Sequence, residues 1–260
     1  MPYLERPDGC RLYLELHGEP QAEPIVLLEG MGGSLPGWGR HLQELARDLR
    51  VAAYDFRGNG RSETPSGPIL MSTLVEDTLG LLDHLGIEAA HLYGQSLGGM
   101  VAQELALSHP DRVRSLILAA THPGPRRAVP IRAKTPKERP WESLFSEGFL
   151  RSDPRSVEEH QRAARMDPQP EAARRRQWEA VQAFDPWDRL PLLRAPTLVL
   201  HGTEDRTIDV GNARLLAGRI PGARLALLEG AGHVYHWERP EESARLIVAF
   251  VREIRGGPGR

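Results

Sequence analysis

Short apolar runs alternate along this 260-residue chain with stretches of helical periodicity. The run at residues 24–30 (PIVLLEG) is continuous and ends in glycine, which is typical of a strand buried on both faces. Runs of the same form recur at residues 51–55, 90–95, 113–121, 196–202 and 223–230. Helical patterns occupy residues 38–49, 71–85, 97–108 and 241–252. This alternation predicts an α/β protein whose parallel sheet is covered by helices on both faces.

Two segments depart from the alternation. Residues 11–18 (RLYLELHG) alternate with period two, and the turn sequence at residues 7–9 (PDG) predicts a hairpin between residues 3–6 and 11–17. Residues from about 124 to about 190 hold many prolines and arginines and no strand-like run, although 156–166 and 171–184 have a helical pattern. We therefore predict a helical insertion at 124–190 in a core formed by residues 1–123 and 191–260.

The composition argues against several classes of protein. There are 33 Lys and Arg residues against 35 Asp and Glu, whereas a nucleic-acid-binding protein would have a basic footprint. No stretch approaches the roughly 18 apolar residues of a membrane span, and the first twenty residues lack the apolar centre of a signal peptide. The single cysteine, Cys10, excludes an intramolecular disulfide. We expect a cytoplasmic monomer or homodimer that binds neither nucleic acid nor membrane.

A candidate nucleophile lies in Gly94-Gln95-Ser96-Leu97-Gly98, directly between a predicted buried strand and a predicted helix. In that context G-x-S-x-G is typical of a sharp turn that presents a nucleophilic serine, because small flanking residues let strand and helix approach each other. A phosphate-binding loop is the alternative interpretation. No Gly-Lys-Ser sequence is present, however, and the glycines do not fit a dinucleotide-binding pattern. The sequence therefore predicts Ser96 as the nucleophile.

A serine hydroxyl needs a base that is oriented by an acid, and in this arrangement the acid and the histidine follow the serine in that order. Among ten histidines, His233 is the candidate base because it follows the last predicted strand in the small-residue sequence GAGH. His236 is the main rival, and its aromatic and acidic neighbours favour a packing or ion-pair role. His201 ends a strand, but it precedes the acidic residues that follow this strand and so has the wrong place in the chain order.

The candidate acid lies after the strand at residues 196–202, where Glu204 and Asp205 are adjacent. Asp205 is favoured because Glu204 would point to the opposite side of a tight turn. Asp209 is a third candidate, but it is better placed to cap a helix that begins near Val210.

Taken together, these segments resemble the α/β-hydrolase superfamily over nearly the whole chain outside the insertion. The motifs that carry the resemblance are GMGG at residues 30–33, DFRGNGRS at 55–62, GQSLG at 94–98, GTED at 202–205 and GAGH at 230–233. The resemblance implies a mostly parallel eight-stranded sheet, with residues 124–190 as a helical lid inserted after the sixth strand. Within the superfamily, the chain resembles small esterases and 3-oxoadipate enol-lactonase-like proteins, particularly in GQSLGGMVAQELA and RAPTLVLHGTED.

The resemblance also implies an oxyanion hole formed by the backbone N–H groups of Met31 and Leu97. One departure lies beside it, since many relatives carry His-Gly where this chain has Glu29-Gly30. A carboxylate near a nascent oxyanion is unfavourable unless it is paired or turned away. Two interpretations stay open: Glu29 caps the N–H groups of its own loop, or it orders a water or contacts Arg57.

The resulting prediction is a serine hydrolase that cleaves a small to medium carboxylic ester through an acyl-enzyme, with no metal or cofactor. A lactonase of the 3-oxoadipate enol-lactone type is the alternative, and a ligand-binding receptor or scaffold with vestigial hydrolysis is the alternative from another class. The predicted pocket residues are Gly30, Trp38, Met100, His122 and Val234, of which Trp38 is also a candidate for packing. Most arginines of the insertion are expected to face solvent, namely Arg126, Arg127, Arg132, Arg174, Arg175 and Arg176.

Overall fold

One eight-stranded sheet organises the computed structural model, which describes residues 2–131 and 139–256. Its strands are β1 (Tyr3–Glu5), β2 (Arg11–His17), β3 (Glu23–Leu28), β4 (Leu49–Tyr54), β5 (Ala90–Gln95), β6 (Val113–Ala119), β7 (Thr197–Gly202) and β8 (Arg224–Leu228). They lie in the order β1-β2-β4-β3-β5-β6-β7-β8. The pairs β1–β2 and β2–β4 are antiparallel and the other pairs are parallel, which confirms the mostly parallel sheet and the N-terminal hairpin.

Helices cover both faces of this sheet in the described part of the chain. They are α1 (Gly39–Ala46), α2 (Met71–His84), α3 (Leu97–Ser108), α4 (Glu147–Ser152), α5 (Pro154–Met166), α6 (Glu171–Ala183), α7 (Gly211–Arg219), α8 (Tyr235–Glu238) and α9 (Pro240–Gly256). The sequence did not predict α4 and α8, which have six and four residues and are too short to show a helical period. Among the helices of the described residues, none combines the length and the apolar character needed to cross a bilayer.

The two faces of the sheet bury two separate cores. In β3, Val26 and Leu28 belong to the core that contains α2 and α3, whereas Ile25 and Leu27 belong to the core that contains α1 and α9. All four side chains are completely buried. Successive side chains of a strand point to opposite faces, so a strand covered on both faces has no position for a polar residue. The continuous apolar run in the sequence has this physical origin.

The insertion between β6 and β7 contains α4, α5 and α6. It contacts the core through a third apolar cluster, in which Phe145 and Val157 of the insertion pack with Val234 from the loop after β8. The carboxylate of Glu238 accepts hydrogen bonds from the backbone and the hydroxyl of Ser146, at 2.7 and 2.8 Å. The described part of the insertion is helical, as predicted. The division of the chain into a core and a lid at residues 124–190 stays a prediction.

Helix α3 lies unusually close to the sheet where it begins. A Cβ atom added at Gly98 would lie 1.9 Å from the carbonyl oxygen of Leu28, and one at Gly94 would lie 2.3 Å from the carbonyl oxygen of Gly98. Both obstacles are backbone atoms, which cannot move without shifting a strand or a helix. The small residues of the GQSLG sequence are therefore required by the approach of α3 to β3 and β5.

We expect Gly98→Ala to lower the free energy of unfolding by about 2 kcal/mol or more, because the added methyl group overpacks a rigid backbone contact. Gly148→Ala is the matched control, since a Cβ atom there meets nothing within 4 Å and the residue lies in α4. That variant should change the free energy of unfolding by less than about 1 kcal/mol. Urea denaturation of both variants makes the measurement, and equal stability of the two would contradict the argument.

Candidate active site

Ser96 occupies the turn between β5 and α3 with φ 52° and ψ −115°. A residue other than glycine in this region is strained and persists only where its surroundings hold it. The holding contacts are hydrogen bonds from Ser96 N–H to the Ala119 carbonyl at 2.9 Å and from the Thr121 hydroxyl to the Ser96 carbonyl at 2.7 Å. The hydroxyl of Ser96 does not cap its own helix, and the residue is half-buried. This turn places Ser96 at the carboxyl end of the central strand β5.

Asp205 and His233 meet at the same sheet edge. The Nδ1–H group of His233 donates to Oδ2 of Asp205 at 2.8 Å, while the backbone N–H groups of Thr207 and Ile208 donate to Oδ1, each at 2.8 Å. Burial by itself raises the pKa of Asp205, but the adjacent His233 and His201 outweigh it and hold that pKa below the ordinary value. Asp205 is therefore an anion that fixes the tautomer of His233 and leaves its Nε2 atom as an acceptor.

The other two acidic candidates lie elsewhere. Glu204 is exposed, as expected for the opposite side of the turn. Asp209 accepts a hydrogen bond from the Gly211 N–H at 2.8 Å at the start of α7, which agrees with its predicted capping position.

The sequence did not single out His201 as part of this arrangement. Its Nε2 atom lies 3.1 Å from Oδ2 of Asp205 and 2.9 Å from the carbonyl oxygen of Ile208, and the side chain is completely buried. The chain order of serine, acid and histidine selects only the histidine after the acid, so it gives no signal for one before it. The one sequence feature that could have indicated this contact is the spacing of four residues between His201 and Asp205 across the end of β7.

Ser96 and His233 are linked through the residue before the serine. The side-chain amide of Gln95 donates to the carbonyl oxygen of His233 at 3.1 Å, and Gln95 is buried. Among the hydrogen bonds of residues 2–131 and 139–256, none joins the Ser96 hydroxyl to the imidazole directly. Such bonds are often long in unliganded enzymes and shorten when substrate binds. The structure thus pairs Asp205 with His233 and brings the loop of His233 against that of Ser96.

His236, the rival base, packs with Trp38 on the face of the sheet that α1 and α9 cover. Its ring lies 5.3 Å from that of Trp38 and its Nε2 atom lies 3.2 Å from the carbonyl oxygen of Gly37. Complete burial holds the pKa of His236 well below its ordinary value. Trp38 is 1% exposed and packs against Tyr93 with ring centroids 5.0 Å apart. Trp38 is therefore a core residue, in keeping with its candidate role in packing, and a role in the pocket stays a prediction.

The loop after β3 forms a tight turn beside Ser96. Its closing hydrogen bond runs from Gly33 N–H to the Gly30 carbonyl at 3.1 Å, and Gly32, at the third position, has φ +75°, as in a type II turn. A Cβ atom on Gly30 would lie 3.4 Å from that of Ser96, so the turn touches the candidate nucleophile.

Two backbone donors of this region have no partner in the described fold. The Met31 N–H group makes no backbone hydrogen bond there, and Leu97 is the first residue of α3, where backbone N–H groups lack partners inside the helix. These are the groups that the resemblance predicts as an oxyanion hole.

Glu29 lies beneath this turn and is 6% exposed. Its Oε1 atom accepts a hydrogen bond from Gly30 N–H at 3.1 Å, while Oε2 has no partner in the described residues. Burial raises the pKa of Glu29 to about 8, with a smaller contribution from the nearby Asp55. The guanidinium of Arg57 instead binds Asp77, at 2.6 and 2.7 Å. The interpretation that Glu29 caps its own loop is confirmed, and the alternative contact with Arg57 is wrong.

The remaining pocket candidates are buried to different extents. Met100 is buried one turn after Ser96 on α3, and Val234 is buried in the cluster that joins the insertion to the core. His122 follows β6 and is half-buried; its Nδ1 atom accepts from Gly124 N–H at 3.1 Å, and burial lowers its pKa to about 4. Their role in binding stays a prediction, together with that of Gly30.

Most arginines of the insertion face solvent, as expected. Those that are exposed are Arg126, Arg127, Arg174 and Arg175. Arg176 is half-buried and donates to the carbonyl oxygen of Pro65. Arg132 lies outside the described residues. Within those residues, no group of three or more His, Cys, Asp or Glu side chains is arranged to hold a metal ion.

The chain is similar in sequence to known hydrolases over most of its length. A sequence model described as the alpha/beta hydrolase fold matches residues 23–240. The chain is 32% identical to a protein named carbamate hydrolase RutD from Azorhizobium caulinodans, over 98% of this chain and 99% of that relative. It is also 32% identical to a poly(3-hydroxyalkanoate) depolymerase from Ectopseudomonas oleovorans, over 92% and 87% of the two chains.

Solved structures of other hydrolases are also similar to this chain. An enol-lactonase from Burkholderia xenovorans LB400 is similar with a TM-score of 0.85 and 30% identity, over 97% of this chain and 100% of that one. A thermophilic esterase from Thermogutta terrifontis is similar with a TM-score of 0.85 and 28% identity, over 98% and 97% of the two chains.

The raised pKa of Glu29 predicts a particular pH dependence of stability. Between its ordinary value of 4.5 and about 8, the unfolded chain has lost this proton while the folded protein keeps it. The free energy of unfolding therefore falls as pH rises through this window, with a slope of up to about 1.4 kcal/mol per pH unit from this group. Glu29→Gln removes the titration, so the stability of the wild type relative to this variant should fall steadily from pH 5 to pH 8.

Urea denaturation at pH 5, 6, 7 and 8 measures that difference. Glu204→Gln, at the exposed carboxylate of the β7–α7 loop, is the control for a general loss of negative charge. Parallel stability curves for the wild type and Glu29→Gln would show that Glu29 is ionised in the folded protein.

Proposed function

The chain belongs to the alpha/beta-hydrolase family, and from this premise we propose a serine hydrolase that cleaves small to medium carboxylic esters through an acyl-enzyme. The observation that carries the proposal is the 2.8 Å hydrogen bond between His233 and Asp205, at the sheet edge where Ser96 is held in a strained turn. A base that is already oriented by an anion is what a serine hydroxyl needs to become a nucleophile.

In the proposed first step, Ser96 Oγ attacks the carbonyl carbon of the ester and its proton passes to Nε2 of His233. The Nδ1–H group of His233 is engaged by Asp205, so only Nε2 is available as the base. The imidazolium that forms is stabilised by the Asp205 carboxylate, whose low pKa keeps it charged throughout.

The tetrahedral intermediate places a negative charge on the former carbonyl oxygen. We assign its stabilisation to the N–H groups of Met31 and Leu97, because the first belongs to the turn that touches Ser96 and the second begins α3. His233 then returns the proton to the leaving alcohol, which departs as the carbonyl reforms. Water attacks the acyl-enzyme by the same route and regenerates the Ser96 hydroxyl.

A lactone is the second candidate substrate. It is favoured by the similarity to an enol-lactonase over the full length of that structure. A lactone is an internal ester, so the same groups act on the same bond, and the leaving oxygen stays attached to the acyl part. The choice between the two is a question of pocket shape and not of catalytic groups.

We expect Ser96→Ala to lower kcat on p-nitrophenyl acetate and butyrate by roughly 10⁴-fold or more, because the nucleophile is lost. Ser108→Ala is the matched control at the exposed end of the same helix and should keep wild-type kcat. Steady-state hydrolysis is the readout, together with labelling of Ser96 by a fluorophosphonate, which should be absent only from the first variant.

Wild-type turnover by Ser96→Ala would remove Ser96 from the mechanism. A single burst of product followed by a stall in the wild type would instead favour a ligand-binding receptor with vestigial hydrolysis. A panel of esters and lactones of graded length, measured with the Ser96→Ala variant as background, then separates the two substrate classes.

A further inference from the structure

We propose that three interlinked amide side chains, those of Asn59, Gln169 and Gln177, hold the turn at residues 30–33 in its catalytic conformation and tie it to the insertion. The proposal rests on the proposed function, since this turn carries the Met31 N–H group assigned to the oxyanion hole. The three amides would be positioning residues, because they act through the turn and not on the substrate.

The orientation of each amide is determined by main-chain carbonyl groups. The Asn59 Nδ2 group donates to the Gly33 carbonyl at 2.7 Å, and the Gln177 Nε2 group donates to the Arg57 carbonyl at 3.1 Å. A carbonyl oxygen only accepts hydrogen bonds, so the NH₂ ends of both amides must face these groups. Neither amide can be turned over without opposing two oxygen atoms.

Gln169 is then oriented by the other two amides. Its Nε2 group donates to Oδ1 of Asn59 at 2.7 Å and to Oε1 of Gln177 at 2.8 Å. Gln177 also donates to Oδ1 of Asn59 at 2.8 Å. Asn59 and Gln177 are 1% and 0% exposed, so each bond that is broken would leave a buried polar group without water.

The network joins parts of the chain that are distant in sequence. Asn59 lies in the loop after β4, whereas Gln177 lies on α6 and Gln169 lies just before α6, both in the insertion. The insertion therefore cannot move away from this loop without breaking buried amide hydrogen bonds. The position of the turn and the position of the insertion are coupled through Asn59.

The turn is held from two sides. Its inner hydrogen bond runs from Gly33 N–H to the Gly30 carbonyl, and the Gly33 carbonyl is anchored from outside by Asn59. The Oε1 atom of Gln169 is buried without a partner and would lie 3.2 Å from a Cβ atom on Gly32, so this amide packs directly against the turn. These contacts define the direction of the peptide group that contains the Met31 N–H. A preorganised donor of this kind acts where charge develops in the transition state.

The test compares Asn59→Ala and Gln169→Ala with a matched control, Gln161→Ala. Gln161 is an amide of the same insertion, on α5, and its side chain bonds Arg165. On p-nitrophenyl butyrate we expect kcat to fall about tenfold or more in Asn59→Ala and about three- to tenfold in Gln169→Ala, with KM within about twofold. Gln161→Ala should match the wild type. Wild-type kcat in a folded Asn59→Ala would overturn the proposal.

A structural role alone is distinguished by a transition-state analogue. An aryl boronic acid forms a tetrahedral adduct with the serine, and its affinity should weaken in Asn59→Ala by the same factor as kcat. A purely structural role would lower the melting temperature and leave kcat and boronate affinity at 25 °C unchanged. Gln169 is half-buried, so Gln169→Ala decides the question in the same two assays if Asn59→Ala does not fold.

Hydrogen exchange separates this proposal from the proposed function. The Gly33 N–H group, which closes the turn by donating to the Gly30 carbonyl, should exchange faster without substrate in Asn59→Ala and Gln169→Ala, and its exchange should be unchanged in Gln161→Ala. If the wild type hydrolyses no ester or lactone and Ser96 is not labelled, the proposed function fails while exchange still reports on the network. Unchanged exchange in both network variants would overturn the coupling itself.

Discussion

The strained backbone at Ser96 is the constraint on which the rest of the site depends. A left-handed φ at a serine needs neighbours that compensate for it, and here they are the carbonyl of Ala119 and the hydroxyl of Thr121. The turn can form only because Gly94 and Gly98 let α3 lie against the backbone of β3 and β5. A parallel sheet then gathers the loops that follow β3, β5, β7 and β8 at one edge, so groups far apart in the chain meet around this turn.

Two buried carboxyl groups near the serine have pKa values shifted in opposite directions, because Asp205 lies beside His233 and His201 whereas Glu29 has no such neighbour. Asp205 accepts from two backbone N–H groups and the imidazole of His233, and its pKa lies below the ordinary value. Glu29 accepts from one backbone N–H group and has an unpartnered oxygen, so burial dominates and raises its pKa to about 8. The anion therefore lies behind the imidazole, where a positive charge forms in the proposed mechanism. The carboxyl beneath the turn stays neutral near pH 7, so it does not oppose a negative charge there.

The insertion contacts two of the loops that surround the candidate site. Its apolar residues Phe145 and Val157 pack on Val234, one residue after His233. Its amides Gln169 and Gln177 bond to Asn59, which anchors the turn beside Ser96. The segment that departs most from the strand–helix alternation thus contacts both the loop of the candidate base and the loop of the proposed oxyanion donor.

The order of elements, the sharp turn at Ser96 and the pairing of Asp205 with His233 could be predicted from the sequence, because they depend on local periodicity and on short motifs at strand ends. The contacts of His201, Glu29 and Trp38 could not. His201 meets Asp205 only because the chain reverses after β7, and Glu29 keeps its proton only because the folded loop excludes water. Trp38 is buried against Tyr93 and His236, which are distant from it in the chain, so no local pattern records these contacts. Periodicity specifies which side of an element is buried, whereas the neighbour on that side, and with it each pKa and hydrogen bond, is decided by tertiary packing.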